Sequence, residues 1–203
     1  VLPNQDLLNC YCNNLSFFLN LLYIKNMESK TDLRTRFKTA RKQLDILKIS
    51  RNIEENIRAL DFYQKSKSVM LFYPTEYEIN LLGLLNDKDK NFYFPKVNKS
   101  ELLVCPYSEG TEFKKSGLNI NEPCSFPVNP DVLDFIIVPA LAADRKNYRL
   151  GYGGGFYDRF LKLVPNAVKI VPVHEMFVIK ELPVEDFDVP VDLIVTDAKK
   201  ARV

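Results

Sequence analysis

The chain has 203 residues, of which 46% are hydrophobic and 27% are charged, so we predict one soluble domain with a sizeable core. The 28 basic and 26 acidic residues leave a net charge of +2, which gives no general electrostatic basis for binding nucleic acid or an anionic membrane. Four scattered cysteines and one histidine lack the spacing of a zinc site and are typical of a reduced, cytoplasmic protein.

The first 26 residues differ from the Lys- and Glu-rich chain that follows, because they carry only two charges, Asp6 and Lys25. The apolar stretch at residues 15–24 is too short to span a bilayer and has no basic residue before it, so we predict neither a membrane span nor secretion. We interpret residues 1–26 as an extension outside the fold and residues 27–203 as the catalytic domain. A membrane-touching or partner-binding helix is the alternative for the extension.

Two amphipathic helices are predicted next. Apolar residues recur at alternating steps of four and three after Ser29, which indicates a first helix. These residues are Leu33, Phe37, Ala40, Leu44 and Leu47. Three cations, Lys30, Arg34 and Arg41, lie along one edge of this stripe, where a solvated helix surface is the simplest interpretation of them. A second helix is predicted over residues 51–65.

Short apolar runs then alternate with helices or turns. The runs lie at residues 68–74, 79–85, 92–97, 102–108, 134–142, 168–173 and 192–197, with a short helix at 157–164. Buried strands alternating with helices predict an α/β fold. We expect a three-layer, Rossmann-like single domain in which helices cover both faces of a mainly parallel sheet.

Four of the seven glycines lie within the segment RLGYGGGFYDRF at residues 149–160. Backbone N–H groups of such a turn can cradle phosphate oxygens, Arg149 supplies a cation, and Asp158 supplies a carboxylate suited to Mg²⁺. The segment matches neither a Walker A loop nor a dinucleotide-binding fingerprint, because Phe156 and Tyr157 stand where those patterns need other residues. The residues alone favour a phosphate loop and a tight turn about equally.

This segment resembles the signature of the 5-formyltetrahydrofolate cyclo-ligase (5,10-methenyltetrahydrofolate synthetase) family, approximately R-L-G-x-G-[KG]-G-[FY]-Y-D. Other segments resemble the family in order along residues 30–197. They are Lys30-x-x-Leu33-Arg34 with Arg41, FYPTEYEI, FYFPKV, NEPCSFP, DFIIVPALAAD and LPVEDFDVPVDLIVTD. The resemblance implies a ligase that cyclises 5-formyltetrahydrofolate to 5,10-methenyltetrahydrofolate with Mg²⁺ and ATP. It implies phosphorylation of the formyl oxygen and release of ADP and phosphate.

The resemblance also implies roles for individual residues. The implied ATP-binding residues are Lys30, Thr31, Asp32, Leu33, Arg34 and Arg41 on the first helix and Arg149, Leu150, Gly151, Tyr152, Gly153, Gly154, Gly155, Phe156 and Tyr157 in the glycine segment. Lys30 and Arg149 are the implied catalytic cations. The implied folate-binding residues are Tyr73, Glu78, Tyr152, Gly153, Gly154, Gly155 and Phe156, and the implied Mg²⁺ ligands are Asp158 and Asp192. Gly154 stands where many members of the family have lysine.

Structural alternatives remain for the acidic residues, because Glu78 and Asp158 also suit the first turn of a helix and Asp192 also suits the end of a turn. Two other functions are possible. One is a sugar-phosphate isomerase or CoA-transferase-like enzyme that uses the glycine segment for a substrate phosphate, and the other is a nucleic-acid-binding module with aromatic strands. The near-zero net charge disfavours the latter, and we expect a monomer that binds ATP and a reduced folate but neither nucleic acid nor a membrane.

Overall fold

The computed structural model describes residues 28–198, so the predicted extension at 1–26 lies outside the described residues. The helices are α1 (Lys30–Arg41), α2 (Ile46–Arg58), α3 (Asp61–Lys65) and α4 (Phe156–Leu161). Side chains cap the first two, since Ser29 accepts from the N–H of Asp32 and Asp45 accepts from the N–H of Lys48. No helix within residues 28–198 is long and apolar enough to cross a membrane.

Eleven strands form three sheets within residues 28–198. They are β1 (Ser68–Met70), β2 (Asn91–Asn98), β3 (Glu101–Pro106), β4 (Phe113–Lys115), β5 (Asn121–Pro123), β6 (Phe135–Ile137), β7 (Ala142–Asp144), β8 (Arg149–Leu150), β9 (Val168–Pro172), β10 (Val178–Ile179) and β11 (Leu193–Val195). The main sheet has the order β11-β9-β6-β1-β2-β3 and is parallel except for the β2–β3 pair. Strands β10, β7 and β8 form a second sheet, and β4 and β5 form a hairpin.

The main sheet is buried on both faces, because successive residues of its strands enter different cores. Val69 and the helices α2 and α3 belong to one core. Met70 and the helix α4 belong to the other core. Ile136 and Ile194 also lie in this second core. This arrangement confirms the predicted three-layer, mainly parallel α/β fold.

The predicted helix boundaries were partly wrong. Helix α1 ends at Arg41 because Lys42 and Gln43 close a tight turn onto Thr39 and Ala40. Asp45 then caps a new helix, so Leu47 is 67% exposed rather than part of the buried stripe. The second predicted helix is likewise divided, since Leu60 has extended backbone angles between α2 and α3.

Two apolar runs do not each form a single strand. The run at residues 79–85 overlaps a 3₁₀ helix (Leu82–Asn86) whose Leu84 is buried, so Leu84 is buried without strand pairing. Residues 134–142 divide at Pro139 between β6 of the main sheet and β7 of the second sheet. Strand β7 pairs with β8, and β8 is the start of the glycine segment. The second sheet therefore positions the glycine segment beside the carboxyl ends of the main strands.

Candidate functional site

A cavity of about 730 Å³ joins segments that are distant in the sequence. The glycine segment and the start of α1 both line it, as do Tyr73 and Glu78. The two halves of the predicted site are also joined directly, because Arg34 Nε donates to the carbonyl of Gly151 at 3.0 Å across 117 residues of sequence. The fold therefore brings Lys30, Thr31 and Arg34 to the same cavity as residues 149–158.

Three of the four glycines have a backbone angle or a close contact that disfavours a Cβ. Gly153 and Gly155 have φ angles of +102° and +64°, which disfavour residues that carry a Cβ. A Cβ on Gly154 would lie 2.7 Å from the ring of Phe156, whereas a Cβ on Gly151 would meet open space. A lysine at residue 154 would thus require the Phe156 ring, which lines the cavity, to move.

Lys30 is held by two acids of the loop between β10 and β11. Its Nζ lies 2.5 Å from Glu185 Oε2 and 2.6 Å from Asp188 Oδ2, and it also lies over the ring of Phe187. Burial lowers the pKa of Lys30, but the hydrogen bonds and charges of Asp188 and Glu185 outweigh it, so the pKa is raised. Lys30 is therefore a fixed cation at the cavity, and a bound anion would have to compete with these acids.

Arg149 is a buried cation of the cavity wall, with 4% of its side chain exposed. Nη2 donates to Asp158 Oδ1 at 2.8 Å, and Nη1 donates to the carbonyl of Val189 at 2.6 Å. Burial lowers the pKa of Arg149 and the charge of Asp158 opposes this. The guanidinium remains charged because its ordinary pKa is so high, and its position beside the glycines is set by Asp158.

Arg41, which the resemblance implies as an ATP contact, is not among the residues that line the cavity. It is 6% exposed and donates to the hydroxyl of Tyr152 at 2.7 Å and to the carbonyl of Ala140. The Tyr152 hydroxyl donates in turn to Glu78 Oε1 at 2.5 Å, and Glu78 Oε2 accepts from the N–H of Thr75. Arg41 thus supports the glycine segment indirectly, through its hydrogen bond to Tyr152.

Asp32 and Leu33 also lie away from the cavity. Asp32 is exposed and accepts a hydrogen bond from the hydroxyl of Ser29. Leu33 is 3% exposed and packs in a third core beside the second sheet. Because consecutive helical residues face different directions, the run 30–34 cannot bind a ligand along its whole length.

Asp192 is likewise absent from the residues that line the cavity. Its Oδ2 accepts from the N–H of Lys169 at 2.7 Å, at the start of the main-sheet strands and so at the end of the sheet opposite the cavity. The acids that line the cavity near Arg149 are Asp158 and Asp188. Within residues 28–198 no group of three or more His, Cys, Asp or Glu side chains could hold a metal ion.

Sequence reasoning gave no role to several cavity residues. Glu185, Asp188 and Glu122 line the cavity, although the first two lie in the segment LPVEDFDVPVDLIVTD and the third in NEPCSFP. Their segments were recognised, so the resemblance could have indicated them, but no spacing pattern separates them from surface acids. Two buried polar atoms of the wall have no hydrogen-bond partner in the described part of the chain, Tyr157 Oη and Glu122 Oε1.

These features define a class of protein: a small-molecule-binding α/β protein whose cavity joins a basic helix edge to a glycine-rich loop. The model of the 5-formyltetrahydrofolate cyclo-ligase family matches residues 26–197. The chain therefore belongs to the 5-formyltetrahydrofolate cyclo-ligase family, a family of ligases, as its sequence segments indicate.

Relatives of known name and structure agree with this assignment. The chain is 29% identical to the 5-formyltetrahydrofolate cyclo-ligase of Haemophilus influenzae, over 84% of this chain and 99% of that protein. The solved structure of Aquifex aeolicus 5,10-methenyltetrahydrofolate synthetase is 34% identical, with a TM-score of 0.75 over 85% of this chain and 91% of that one. The Mycoplasma pneumoniae 5,10-methenyltetrahydrofolate synthetase has the same fold at 23% identity, with a TM-score of 0.68 over 84% of this chain and 99% of that one. These matches favour the cyclo-ligase over the isomerase-like and nucleic-acid-binding alternatives.

Proposed function

We propose that this chain catalyses the ATP-dependent cyclisation of 5-formyltetrahydrofolate to 5,10-methenyltetrahydrofolate, with release of ADP and phosphate. The observation that carries the proposal is the cavity shared by Lys30, Arg34, Arg149 and the glycine segment in a chain of this family. The cavity combines fixed cations and glycine backbone with an apolar, aromatic wall, as an anionic nucleotide and a flat heterocycle together require.

The chemistry must overcome the low reactivity of a formamide, whose nitrogen lone pair is delocalised into the carbonyl. In the proposed reaction the γ-phosphoryl group of ATP is transferred to the formyl oxygen, which leaves ADP. The neighbouring secondary amine of the folate then attacks the activated carbon, loses its proton, and phosphate departs as the five-membered ring closes. No side-chain nucleophile is needed, so the protein contributes positioning and charge stabilisation.

Lys30, Arg34 and Arg149 are the proposed phosphate-binding cations. Arg149 suits the transferring group, because its guanidinium is oriented by Asp158 and Val189 and does not need to reorganise. Lys30 suits the other phosphates, for which it would exchange its contacts with Glu185 and Asp188. The backbone of residues 151–155 is the proposed cradle between them.

Mg²⁺ fits this site as an ion that arrives with the nucleotide. Mg²⁺ is commonly bound by one or two carboxylates, phosphate oxygens and several waters, so a cluster of three acids is not required. Both described hydrogen bonds to the Asp158 carboxylate use Oδ1, which leaves Oδ2 for such an ion. We propose Asp158 and Asp188 as the protein ligands, in place of Asp192. Bound there, the ion would neutralise phosphate charge.

The proposed folate site lies against Tyr73, Glu78, Tyr152 and Phe156, all of which line the cavity. Tyr157 adds a hydroxyl in the same wall. Burial and the charge of Glu78 raise the pKa of Tyr157, so its hydroxyl stays protonated at neutral pH and can donate a hydrogen bond. The enzyme is further proposed to act as a monomer in the cytoplasm, in keeping with the free thiols of Cys105 and Cys124.

The direct test incubates the purified protein with Mg·ATP and 5-formyltetrahydrofolate. We expect the near-ultraviolet absorbance of the methenyl product to rise in step with ADP, and omission of Mg²⁺ to abolish both. ADP formed without the methenyl product, or neither product from well-folded protein, would contradict the proposed function.

A further inference from the structure

Glu122 is a buried carboxylate in the cavity wall for which the protein supplies no partner. It lies on β5, is 9% exposed, and lines the cavity. Across residues 28–198, neither a hydrogen bond nor an ion pair reaches its side chain, and Oε1 is fully buried. Buried polar groups in native proteins are nearly always paired, so such an oxygen requires an explanation.

Leaving a carboxylate unpaired in an apolar wall costs free energy. Leu118, Ile120, Val97 and Leu102 also line the cavity, and their apolar side chains cannot replace the hydration of a carboxylate. Lys96 is near enough to influence the thiol of Cys105 together with Glu122, but no ion pair joins Lys96 to Glu122 in the part of the chain described. Oε1 is closed to solvent in this conformation, so the Glu122 side chain would have to turn toward the cavity to meet a ligand, and the missing partner is expected from that ligand.

The ligand must present N–H donors to an apolar, ring-shaped site. A carboxylate binds most strongly to two parallel N–H groups on a planar partner. A pteridine has such a pair on its pyrimidine edge, where the 2-amino group lies beside the ring N3–H, whereas the phosphates of ATP offer acceptors only. Glu78, the other acid of the folate side, already accepts hydrogen bonds on both oxygens, from Tyr152 and Thr75.

We propose that Glu122 accepts a paired hydrogen bond from the pyrimidine edge of the reduced pteridine and so selects the 2-amino-4-oxo ring. This inference rests on the proposed function and adds a specificity-determining residue to it. It also orients the substrate, because an anchored pyrimidine edge directs the opposite side of the ring system, which bears the formyl group, away from the hairpin.

The test compares Glu122→Gln with the wild type and with Glu112→Gln, an exposed glutamate beside β4. The dissociation constant for 5-formyltetrahydrofolate is measured without ATP, and both KM values are measured in turnover. We expect Glu122→Gln to weaken folate binding about 10- to 100-fold, the range for lost charge-assisted hydrogen bonds. The KM for ATP should not rise and the melting temperature should not fall, because Glu122→Gln removes an unpaired buried charge. Glu112→Gln should match the wild type in all of these measurements.

A second measurement changes the ligand. A 5-formyltetrahydrofolate analogue that lacks the 2-amino group should bind the wild type about tenfold or more weakly, and Glu122→Gln should discriminate little between the two ligands. Folate affinity unchanged in Glu122→Gln, or equal affinity of the wild type for both ligands, would overturn the assignment of Glu122. Normal wild-type turnover in that case would leave the proposed function intact, whereas absent turnover would contradict the proposed function itself.

Discussion

The charged side chains on the two sides of the cavity differ in whether the protein itself supplies their partners. On the side of α1 and the glycine segment, Lys30 and Arg149 each have acidic partners and Arg34 has a backbone acceptor. On the side of the β4–β5 hairpin, the carboxylate of Glu122 has none within the described chain. The first side is pre-organised for an anion that competes with the internal partners of the cations. The second side has an unpaired carboxylate, for which a ligand would supply the hydrogen-bond donors.

The largest expected effect comes from Arg149→Ala, which removes the best-oriented cation of the paired side. We expect turnover to fall by about two to three orders of magnitude, as for other pre-organised donors at a transition state. Steady-state kinetics with saturating ATP and folate measure this loss. Arg149→Lys should recover part of it, and Arg145→Ala, an exposed neighbour, should behave as the wild type. Turnover retained in folded Arg149→Ala would contradict the role.

Gly153→Ala tests whether the backbone of the paired side is pre-organised. Because Gly153 has a φ of +102°, we expect a loss of about 1–3 kcal/mol in the free energy of unfolding. Gly151→Ala is the matched control, since its Cβ would meet open space. Urea denaturation of both variants gives the comparison, and equal stabilities would show that the positive φ is not required.

Tyr157→Phe removes the other unpaired polar atom of the wall. Since Tyr157 Oη has no partner in the described structure, its loss should not lower the melting temperature, while turnover should fall about tenfold if a ligand accepts its hydrogen bond. Tyr63→Phe should instead lower the melting temperature and leave turnover unchanged. The reason is that the Tyr63 hydroxyl donates to Asp87 at 2.8 Å and Tyr63 lies outside the cavity wall. A variant Tyr157→Phe that is less stable but fully active would assign the hydroxyl to the fold.

The smallest expected effect is that of Glu185→Gln. Its carboxylate competes for Lys30 but is 54% exposed, so the pair contributes only about 0.5 kcal/mol and the KM for ATP should fall about twofold. Glu181→Gln, which affects a surface pair with Lys146, is the control. Asp188→Asn should instead lower turnover, as expected for a Mg²⁺ ligand. An increase in the KM for ATP in Glu185→Gln would show that Glu185 assists nucleotide binding.

Much of the fold could be predicted because local patterns and global packing agree. The alternation of apolar runs predicted the layers, and the family segments predicted that α1 and the glycine segment share a site. Boundaries failed where local capping decided them, as at Asp45, and where Pro139 directs one apolar run into two sheets. The role of Arg41 could not be foreseen, because a helical wheel does not show that Tyr152 covers its guanidinium.

The sequence by itself determined the fold class, the family and the two segments that bear the proposed phosphate-binding residues, because these depend on periodicity and on motifs that are contiguous in the chain. Only the tertiary structure decided which acids face the cavity. Asp192 accepts a hydrogen bond from a strand backbone, while Asp188 and Glu122 line the cavity. No sequence pattern separates these three acids. The physical reason is that burial and pairing of a charge depend on segments that meet only when the chain folds.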